Sequence, residues 1–503
     1  METIKFSNFK GFGGEHSIDV APLTLIYGEN SAGKSSLLEL LRLAWTADSC
    51  TELFADSVLE GEGPISLAHR RRASKKIAIT RRGADMGRVG DGPWTLSTTA
   101  EWAYEPEDVG LHQAEMFAPR KIEYDTQRGK VTGRAVKHPK PELTNGREFA
   151  FLLNRGEVRR FLESSMQADY IVFQPDVSLN DLFWNMWDDF FDDGSARPEM
   201  TSPELLDTIR PALRSPSTNI WVDSYGFYAE GDFDEWTARA ITLRLLADLE
   251  GPGPDYLMEP PIEATGRPEG WAWGSAVRIP AIRPSIPDLV NKRTVQHLRA
   301  DDPENYLNWI IRNVEKVGSS HCLADRVDKG GLREFNAALE RLGMPHILRL
   351  RPSADNSDLD VWFEDRRSGA VVRPHGVGSG VAQVVPVIAA TEFCSDTTLL
   401  TIEQPELHLH PRLQANLGEY FVAATKAPHR GASMIVETHS ELLILRVLRM
   451  IREGTADPSM VAVHYVGNTS EGPQITQMRI GSDGEFIDEW PAGFFEERLD
   501  ELF

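Results

Sequence analysis

An eight-residue segment near the start of the chain, GENSAGKS at residues 28–35, constrains the fold more than any other feature. It follows an apolar, β-rich run (LTLIY, 23–27) and precedes a run with helical apolar spacing (LLELLRLAW, 37–45). A G-x4-G-K-[ST] loop between a buried strand and a helix is typical of a phosphate-binding loop, whose backbone N–H groups converge on phosphate oxygens. The sequence therefore predicts an α/β domain with a nucleotide site at this loop.

The loop residues are expected to divide the work of binding ATP. Lys34 is expected to reach the β- and γ-phosphates, and the Ser35 hydroxyl to bind Mg²⁺. The predicted nucleotide-binding residues are Gly28, Asn30, Ser31, Ala32, Gly33, Lys34, Ser35 and Ser36.

A phosphate loop also needs an acid on a neighbouring strand to hold the metal. The apolar run TLLTIE (398–403) ends in Glu403, at the end of a parallel strand where ligands bind. We therefore expect Mg²⁺ to be held by Ser35 and Glu403.

The residue after Glu403 departs from the usual ATPase pattern, because Gln404 stands where a second carboxylate is common. A neutral amide orients water but cannot accept its proton. Three readings stay open: Glu406 replaces the missing base, hydrolysis is slow, or a glutamate was deliberately exchanged to trap nucleotide.

Two further motifs flank this strand at fixed spacing. GSGVAQ (378–383) begins 25 residues before Glu403 and opens a helix, where Ser379 and Gly380 would bind an anion. His439, in VETHS, lies 36 residues after Glu403 at another strand end and could sense a γ-phosphate. Alone, each is more often structural, whereas their order with the phosphate loop is specific.

The chain reads in three parts. Residues 1–82 contain a short hairpin (4–20), the phosphate loop and a strand (KKIAITRR, 75–82). Residues 83–340 mix Gly- and Pro-rich loops with helical stretches at 148–164 and 303–317. Residues 341–503 alternate strands and helices, which predicts a largely parallel sheet.

Three smaller features each have a structural and a functional reading. The segment 182–193 (LFWNMWDDFFDD) is a core-facing amphipathic helix or a partner anchor. His408 and His410 have metal-like spacing without a third ligand, which favours a structural role or a subunit contact. The basic cluster Arg70–Arg82 is a solvated strand edge or a contact for DNA or an acidic partner.

Composition and charge limit the class of protein and its cellular location. The net charge of −23 argues against a general nucleic-acid coat, and three widely spaced cysteines argue against a disulfide framework. The N-terminus lacks the apolar run of a signal peptide, and no stretch reaches the roughly 20 apolar residues of a membrane span. We expect a soluble, cytoplasmic protein without membrane contact.

The ordered motifs resemble the ABC-class ATPase heads of SMC, RecF and OLD proteins, as does the start IKFSNFKGF. The stretches HGVGSGVAQVVPVI, IEQPELHLHPRLQANL and IVETHSELLI resemble the OLD-like branch of prokaryotic phage-defence systems, including PARIS and Septu. The closing GEFIDEWPAGFFEERLDELF resembles stand-alone members of that branch, and the middle of the chain resembles no family we can name.

This resemblance implies a split ATPase head with a mixed, largely parallel sheet, built from 1–82 and 341–503, with 83–340 as an inserted, mainly helical lobe. ATP would lie between two copies, so that Lys34 of one faces Ser379 and Gly380 of the other. The chain would then be at least a dimer. The GSGVAQ segment departs from the transporter-like LSGGQ signature.

The resemblance also implies a separate effector, a nuclease or toxin. OLD proteins carry a nuclease domain after the Thr-His strand, whereas 64 residues follow His439 here, too few for a domain of about 100 residues or more. The expected role is a slowly hydrolysing switch in bacterial antiviral defence. The alternatives are a RecF- or SMC-like ATPase that clamps DNA and a nucleotide-gated scaffold that does not hydrolyse ATP.

Overall fold

The computed structural model forms two compact units, one of residues 18–45 and 274–503 and one of residues 2–17 and 46–273. The residues that the structure describes are 2–46, 53–54, 77–85, 96–104, 116–126, 129–137, 149–167, 201–223, 226–249, 276–283, 286, 288–291, 331–352, 358–393, 399–426, 433–470 and 472–489.

The described strands are numbered in chain order. They are β1 (Glu2–Ser7), β2 (Glu15–Val20), β3 (Leu23–Gly28), β4 (Leu53–Phe54), β5 (Ile77–Asp85), β6 (Leu96–Tyr104), β7 (Met116–Thr126), β8 (Gly129–Lys137), β9 (Phe149–Leu153), β10 (Asn219–Asp223), β11 (Gly226–Glu230), β12 (Ala276–Ile279), β13 (Leu289–Asn291), β14 (His346–Pro352), β15 (Asp358–Asp365), β16 (Val371–Val372), β17 (Leu399–Glu403), β18 (Met434–Glu437), β19 (Val461–Thr469) and β20 (Gly472–Gln477). The described α-helices are α1 (Lys34–Thr46), α2 (Arg155–Gln167), α3 (Ser202–Arg214), α4 (Glu235–Leu249), α5 (Gly331–Leu342), α6 (Ser379–Phe393), α7 (Pro411–Thr425) and α8 (Glu441–Arg452).

The first unit is built on a six-stranded sheet in the order β12-β17-β18-β3-β19-β20. The first five strands are parallel and β20 is antiparallel. β3, β17 and β18 are buried along their whole length, as expected for strands of a parallel sheet covered on both faces. The fold class is therefore α/β with a mixed, largely parallel sheet, as the sequence predicts.

Strand order decides which residues meet at the edge of this sheet. β3 and β17 both pair with β18, and Glu437 lies opposite Ile26 on one side and Glu403 on the other. Because the carboxyl ends of parallel strands share one edge, the phosphate loop and the ends of β17 and β18 come together there.

The core of the first unit lies between the parallel sheet and its helices. It extends to a small antiparallel sheet in the order β13-β15-β14, to which β16 adds by pairing with β15. Phe335 on α5, Leu348 on β14 and Phe363 on β15 are fully buried in the same cluster as α6, α7 and α8. Fully burying a side chain such as Phe335 or Phe363 stabilises the fold by about 1.5–3 kcal/mol. Apolar burial therefore holds this small sheet to the rest of the first unit.

The second unit is dominated by an antiparallel sheet, which corrects our expectation of a mainly helical lobe. β5 to β11 lie side by side in sequence order, β1 pairs with β5 and is followed by β2 at that edge, and β4 pairs with β7. The exposure pattern of β7 is typical of such a sheet: Ile122 and Tyr124 are buried, whereas Lys121 and Asp125 are exposed. This alternation is that of a sheet with one face on a core.

Helices α2, α3 and α4 supply the other half of that core. Phe161 on α2, Ile209 on α3 and Ile241 on α4 are buried with Phe151 on β9 and Val131 on β8. The stretch 148–164, expected as a helix, therefore begins as β9 and becomes helical only from Arg155. β9 pairs with both β8 and β10, and these tertiary pairings outweigh its local pattern.

Most other predicted elements are confirmed, including the hairpin of β1 and β2, the strand after Lys75 and the strands and helices of the C-terminal part. The helical predictions at 182–193 and 303–317 lie outside the described residues. The domain boundaries at 82 and 340 stay a prediction, although β12, which precedes residue 340, pairs within the sheet of the first unit. Within the described part of the chain, no helix has both the length and the apolar character needed to span a membrane.

Candidate functional site

The loop after β3 has the backbone of a tight turn. Gly28, Ser31 and Gly33 have φ values of 145°, 62° and 95°, in the left-handed region that favours glycine. A Cβ added at Gly28 would lie 2.0 Å from the carbonyl oxygen of Val466 on β19. Only glycine therefore fits where the loop begins, which is the physical reason for the first position of the motif.

Lys34 opens α1 and folds back over its own loop. Its Nζ donates hydrogen bonds to the carbonyl oxygens of Gly28 at 3.0 Å and Glu29 at 2.7 Å. The same nitrogen lies 4.0 Å from Glu437 Oε1, and the residue is 5% exposed. Burial lowers the pKa of Lys34, and the neighbouring carboxylates Glu437 and Glu29 oppose that shift.

The other predicted loop residues present a mixed surface. Asn30, Ser31 and Ser35 are exposed, Gly33 and Ser36 are half-buried, and Ala32 is buried. The hydroxyl of Ser35 therefore stands at an accessible helix start, as its predicted role as a metal ligand requires.

Glu403 ends β17 and is buried, and its carboxylate is paired with an arginine. Arg278 Nε donates to Glu403 Oε1 at 2.8 Å, and Arg278 Nη2 lies 3.4 Å from Oε2. Arg278 lies on β12, which pairs in parallel with β17. In this pairing Arg278 lies opposite Thr401. Sequence reasoning missed this residue, because 125 positions separate it from its partner.

Glu437, at the end of β18, is a second residue of the site that sequence reasoning missed. It lies opposite Glu403 and is 5% exposed. Burial raises the pKa of Glu437 to about 7; Lys34 opposes the shift, and Glu403 and Glu406 add to it. The signal that could have identified Glu437 is its position directly after the apolar run MIV. Glu403 follows the run TLLTI in the same way.

Gln404 has a φ of 43°, which an L-residue adopts only when its surroundings hold it there. Its N–H donates to the carbonyl oxygen of Glu437 at 2.8 Å. Arg283 supports the same turn, since its Nη2 donates to the carbonyl oxygen of Glu403 at 2.6 Å. The turn after β17 is therefore clamped through main-chain oxygens.

Glu406 is buried below this turn and contacts the next strand end. Its Oε1 accepts a hydrogen bond from the backbone N–H of His439 at 2.7 Å, and its Oε2 has no hydrogen-bond partner among the described residues. Burial raises the pKa of Glu406. Its contacts fit a residue that positions His439, and its role as a substitute base stays a prediction.

His439 is half-buried at the C-terminal end of β18, beside Lys34. Burial lowers the pKa of its ring, and the charge of Lys34 lowers it further. The ring is therefore neutral near pH 7, with one nitrogen that donates and one that accepts. Such a ring can read a phosphate through its N–H, as its predicted role requires.

Ser379 and Gly380 lie apart from this group at the N-terminus of α6. Ser379 is exposed, and a Cβ on Gly380 would lie 2.9 Å from the carbonyl oxygen of His408. Among the described residues, no hydrogen bond or ion pair joins either residue to Lys34, Glu403 or Glu437. Their predicted contact with a nucleotide held by another copy stays a prediction.

The two exposed histidines of ELHLHP have backbone explanations. His410 is the N-cap of α7, where its Nδ1 accepts from the N–H of Arg412 at 3.2 Å. His408 has a φ of 62° in the turn before it. Within the described residues, no group of three or more His, Cys, Asp or Glu is arranged to hold a metal ion.

The residues at the sheet edge nevertheless fit Mg²⁺ bound with a nucleotide. Magnesium in such sites takes one or two protein oxygens and completes its shell with phosphate and water. Ser35 and Glu403 are the residues predicted to supply those oxygens. Burial and the neighbouring acids raise the pKa of Glu437, whereas Lys34 and Arg278 lower it. A cation bound at this edge would favour the charged form of Glu437.

Most of the basic cluster, residues 70–76, lies outside the described residues. Arg81 and Arg82 lie on β5, opposite Ile4 and Thr3 of β1. Its predicted contact with DNA or an acidic partner stays a prediction.

Two family comparisons match long parts of the chain. Residues 207–446 match a family described as "AAA domain, putative AbiEii toxin, Type IV TA system", and residues 3–176 match one described as "AAA domain". A comparison with curated proteins gives no match.

Among solved structures, the chain is similar to SMC head domains. An SMC head bound to the C-terminal winged-helix domain of ScpA is 11% identical, with 95% of this chain and 97% of that one covered and a TM-score of 0.39. A Pyrococcus furiosus SMC head bound to the C-terminal domain of ScpA is 13% identical, with 100% and 99% covered and a TM-score of 0.38. The Thermotoga maritima SMC head is 10% identical, with 95% and 98% covered and a TM-score of 0.34. These likenesses are too distant to transfer a role to this chain.

The phosphate loop on its parallel sheet and the two family matches define the class of protein. This chain carries a P-loop ATPase domain, of the kind that both matching families describe as an AAA domain.

The Gln404 position yields a direct prediction about turnover. Gln404→Glu is expected to raise the rate of ATP hydrolysis, because a well-placed general base contributes about 10²–10⁴-fold. Steady-state phosphate release measures the change, with Gln477→Glu, at an exposed glutamine of β20, as the matched control. An unchanged rate would mean that Gln404 does not limit turnover and that Glu406 or Glu437 supplies the base.

Proposed function

We propose that this chain is a Mg²⁺-dependent ATPase that binds ATP tightly, hydrolyses it slowly and acts as a switch. The observation that carries the proposal is the position of Lys34, whose ammonium group lies over the loop carbonyls of Gly28 and Glu29 and 4.0 Å from Glu437 Oε1 at the same sheet edge. Converging backbone N–H groups, a lysine and an acid at adjacent strand ends are the parts that phosphoryl transfer needs.

Each residue has a distinct task in this proposal. The loop backbone and Lys34 bind the β- and γ-phosphates, and Ser35 and Glu403 hold the metal. When bound, Mg²⁺ neutralises charge that develops on the phosphate oxygens. Gln404 orients the attacking water without taking its proton, which makes turnover slow. His439 reads the terminal phosphate.

We further propose that two copies enclose each nucleotide. Ser379 is exposed at the start of α6, a helix of 15 residues whose N-terminal N–H groups suit an anion. Within the described part of one copy, no hydrogen bond or ion pair joins it to the phosphate-loop residues. A second copy that brings Ser379 and Gly380 onto the γ-phosphate would make ATP the link between subunits, so that its loss releases them.

ATP-dependent association tests this arrangement. The wild-type chain is expected to double its mass in solution when ATP and Mg²⁺ are added, as measured by analytical ultracentrifugation. Ser379→Arg is expected to keep ATP binding and to lose association, because the added side chain blocks the helix start. Ser368→Arg, at another exposed serine of the same unit, is the control. Association that persists in Ser379→Arg would contradict the arrangement.

The cellular role that we propose is control of a separate effector, a nuclease or toxin, in the cytoplasm during bacterial antiviral defence. The description of one matching family as a toxin of a Type IV TA system supports this context. The test is purification of the chain from its own host, followed by identification of bound proteins with and without ATP. An effector that dissociates when ATP is withdrawn supports the role.

Two other functions would leave different signatures. A DNA clamp of RecF or SMC type would show salt-dependent DNA binding that is lost when the Arg70–Arg82 cluster is neutralised. A nucleotide-gated scaffold would bind ATP tightly with phosphate release near background.

A further inference from the structure

Arg278 covers the carboxylate that the proposed function assigns to the metal. Its guanidinium spans both oxygens of Glu403, with Nε 2.8 Å from Oε1 and Nη2 3.4 Å from Oε2. A planar guanidinium fork matches a phosphate group as well as a carboxylate. The side chain is 33% exposed, so it lies at the accessible side of the pair, and Glu403 lies behind it at 11%.

A second arginine holds the end of β17 through its main chain. Arg283 is buried, and its Nη2 donates to the carbonyl oxygens of Glu403 at 2.6 Å and Gln404 at 3.4 Å. Gln383 on α6 holds it from the other side, through Oε1 at 3.4 Å from the backbone N of Arg283. The end of β17 is therefore fixed through its main chain, whichever partner the Glu403 carboxylate has.

A phosphate oxygen can become a second partner of Arg278 when nucleotide binds. A guanidinium and a divalent cation compete for the same carboxylate oxygens, because both are positive and close. The nucleotide brings phosphate oxygens to the same sheet edge. If Arg278 leaves the carboxylate for a phosphate, both positive groups keep an anionic partner.

We propose that Arg278 is a phosphate-binding residue that exchanges Glu403 for the terminal phosphate of bound ATP. The inference rests on the proposed function, since it needs ATP at the phosphate loop. It adds that the chain distinguishes ATP from ADP within one copy: with ADP, Arg278 stays on Glu403. In this proposal, the Glu403 carboxylate is released from Arg278 only when the terminal phosphate is present.

Binding of AMP-PNP and ADP to the full chain tests the proposal by calorimetry in the presence of Mg²⁺. Arg278→Gln is expected to weaken AMP-PNP binding about tenfold or more, which is the loss of one charge-assisted contact. ADP binding is expected to change less than about threefold, well under the value of one such contact. Arg278→Lys keeps the charge without the fork and is expected to fall between the two. Arg449→Gln, at an exposed arginine of α8 paired with Glu453, is the control.

Three outcomes would overturn the inference. Equal losses for AMP-PNP and ADP would make Arg278 a positioning residue for Glu403, and no loss for either would mean that it stays on the acid. A thermal unfolding curve showing that Arg278→Gln fails to fold would contradict the claim that main-chain contacts hold the strand end without Arg278. If the wild-type chain binds neither nucleotide, the proposed function itself fails, which is a separate result.

Discussion

Lys34→Ala is expected to abolish ATP binding, lowering affinity by about a hundredfold or more. Lys34 is the one positively charged side chain of the described loop, and its Nζ donates to the carbonyl oxygens of Gly28 and Glu29. Two charge-assisted contacts to the β- and γ-phosphates, at about 1.5–3 kcal/mol each, account for a loss of this size. Calorimetric titration with AMP-PNP measures it.

The loss must be separated from damage to the loop, because Lys34 is buried and bridges two carbonyl groups. Lys426→Ala is the matched control, since Lys426 is exposed after α7 and its ammonium contacts the carbonyl oxygen of Thr455. Both variants should keep the thermal unfolding midpoint close to that of the wild type. A folded Lys34→Ala variant that binds AMP-PNP normally would show that this loop is not the nucleotide site.

Glu403→Ala is expected to abolish Mg²⁺-dependent ATP turnover while leaving metal-free nucleotide binding nearly unchanged. The carboxylate ends β17 opposite Glu437 and supplies the protein's acidic ligand for the metal in our account. The metal contributes several kcal/mol of charge stabilisation in the transition state, so the rate should fall by about a hundredfold or more. Phosphate release as a function of Mg²⁺ concentration gives the result.

A second substitution separates a loss of turnover from an effect on folding. Glu403→Gln preserves the shape of the side chain and its contact with Arg278, and it should lose turnover almost as completely. Glu419→Gln, at an exposed acid of α7 paired with Arg446, should not. Normal turnover in Glu403→Gln would move the metal ligand elsewhere, with Glu437 as the next residue to test.

The parts of the site that could be predicted are those that the chain carries in local order. The loop at Gly28–Ser35 needs glycine for its backbone, and a buried strand before it and a helix after it are visible as apolar periodicity. Glu403 follows for the same reason, since an acid directly after an apolar run marks a strand end.

The missed residues depend on strand order, which the sequence does not state. Glu437 becomes part of the site only because β18 pairs with both β3 and β17. Arg278 and Arg283 enter because β12 adds to the far side of β17, more than 100 positions away in the chain. Such long-range parallel pairings leave no local pattern beyond a short apolar strand.

The antiparallel sheet of the second unit was missed for a different reason. β7 alternates correctly around Ile122 and Tyr124, yet the sequence before it (EPEDVGLHQAE, 105–115) is rich in charge and weakens the pattern. β9 contains the buried Phe151 and Leu153 directly before α2, so its apolar residues read as the first turn of that helix. Pairing with β8 and β10 decides its conformation.

The central claim is that each nucleotide is shared between two copies, and mixing two inactive variants tests it most directly. Lys34→Ala lacks the loop contact and Ser379→Arg lacks the helix contact, so neither should associate or hydrolyse ATP alone. Our account predicts that an equal mixture regains ATP-dependent association and turnover, because a mixed dimer contains one intact site. A mixture as inactive as its components, or a Ser379→Arg variant that is fully active alone, would contradict it.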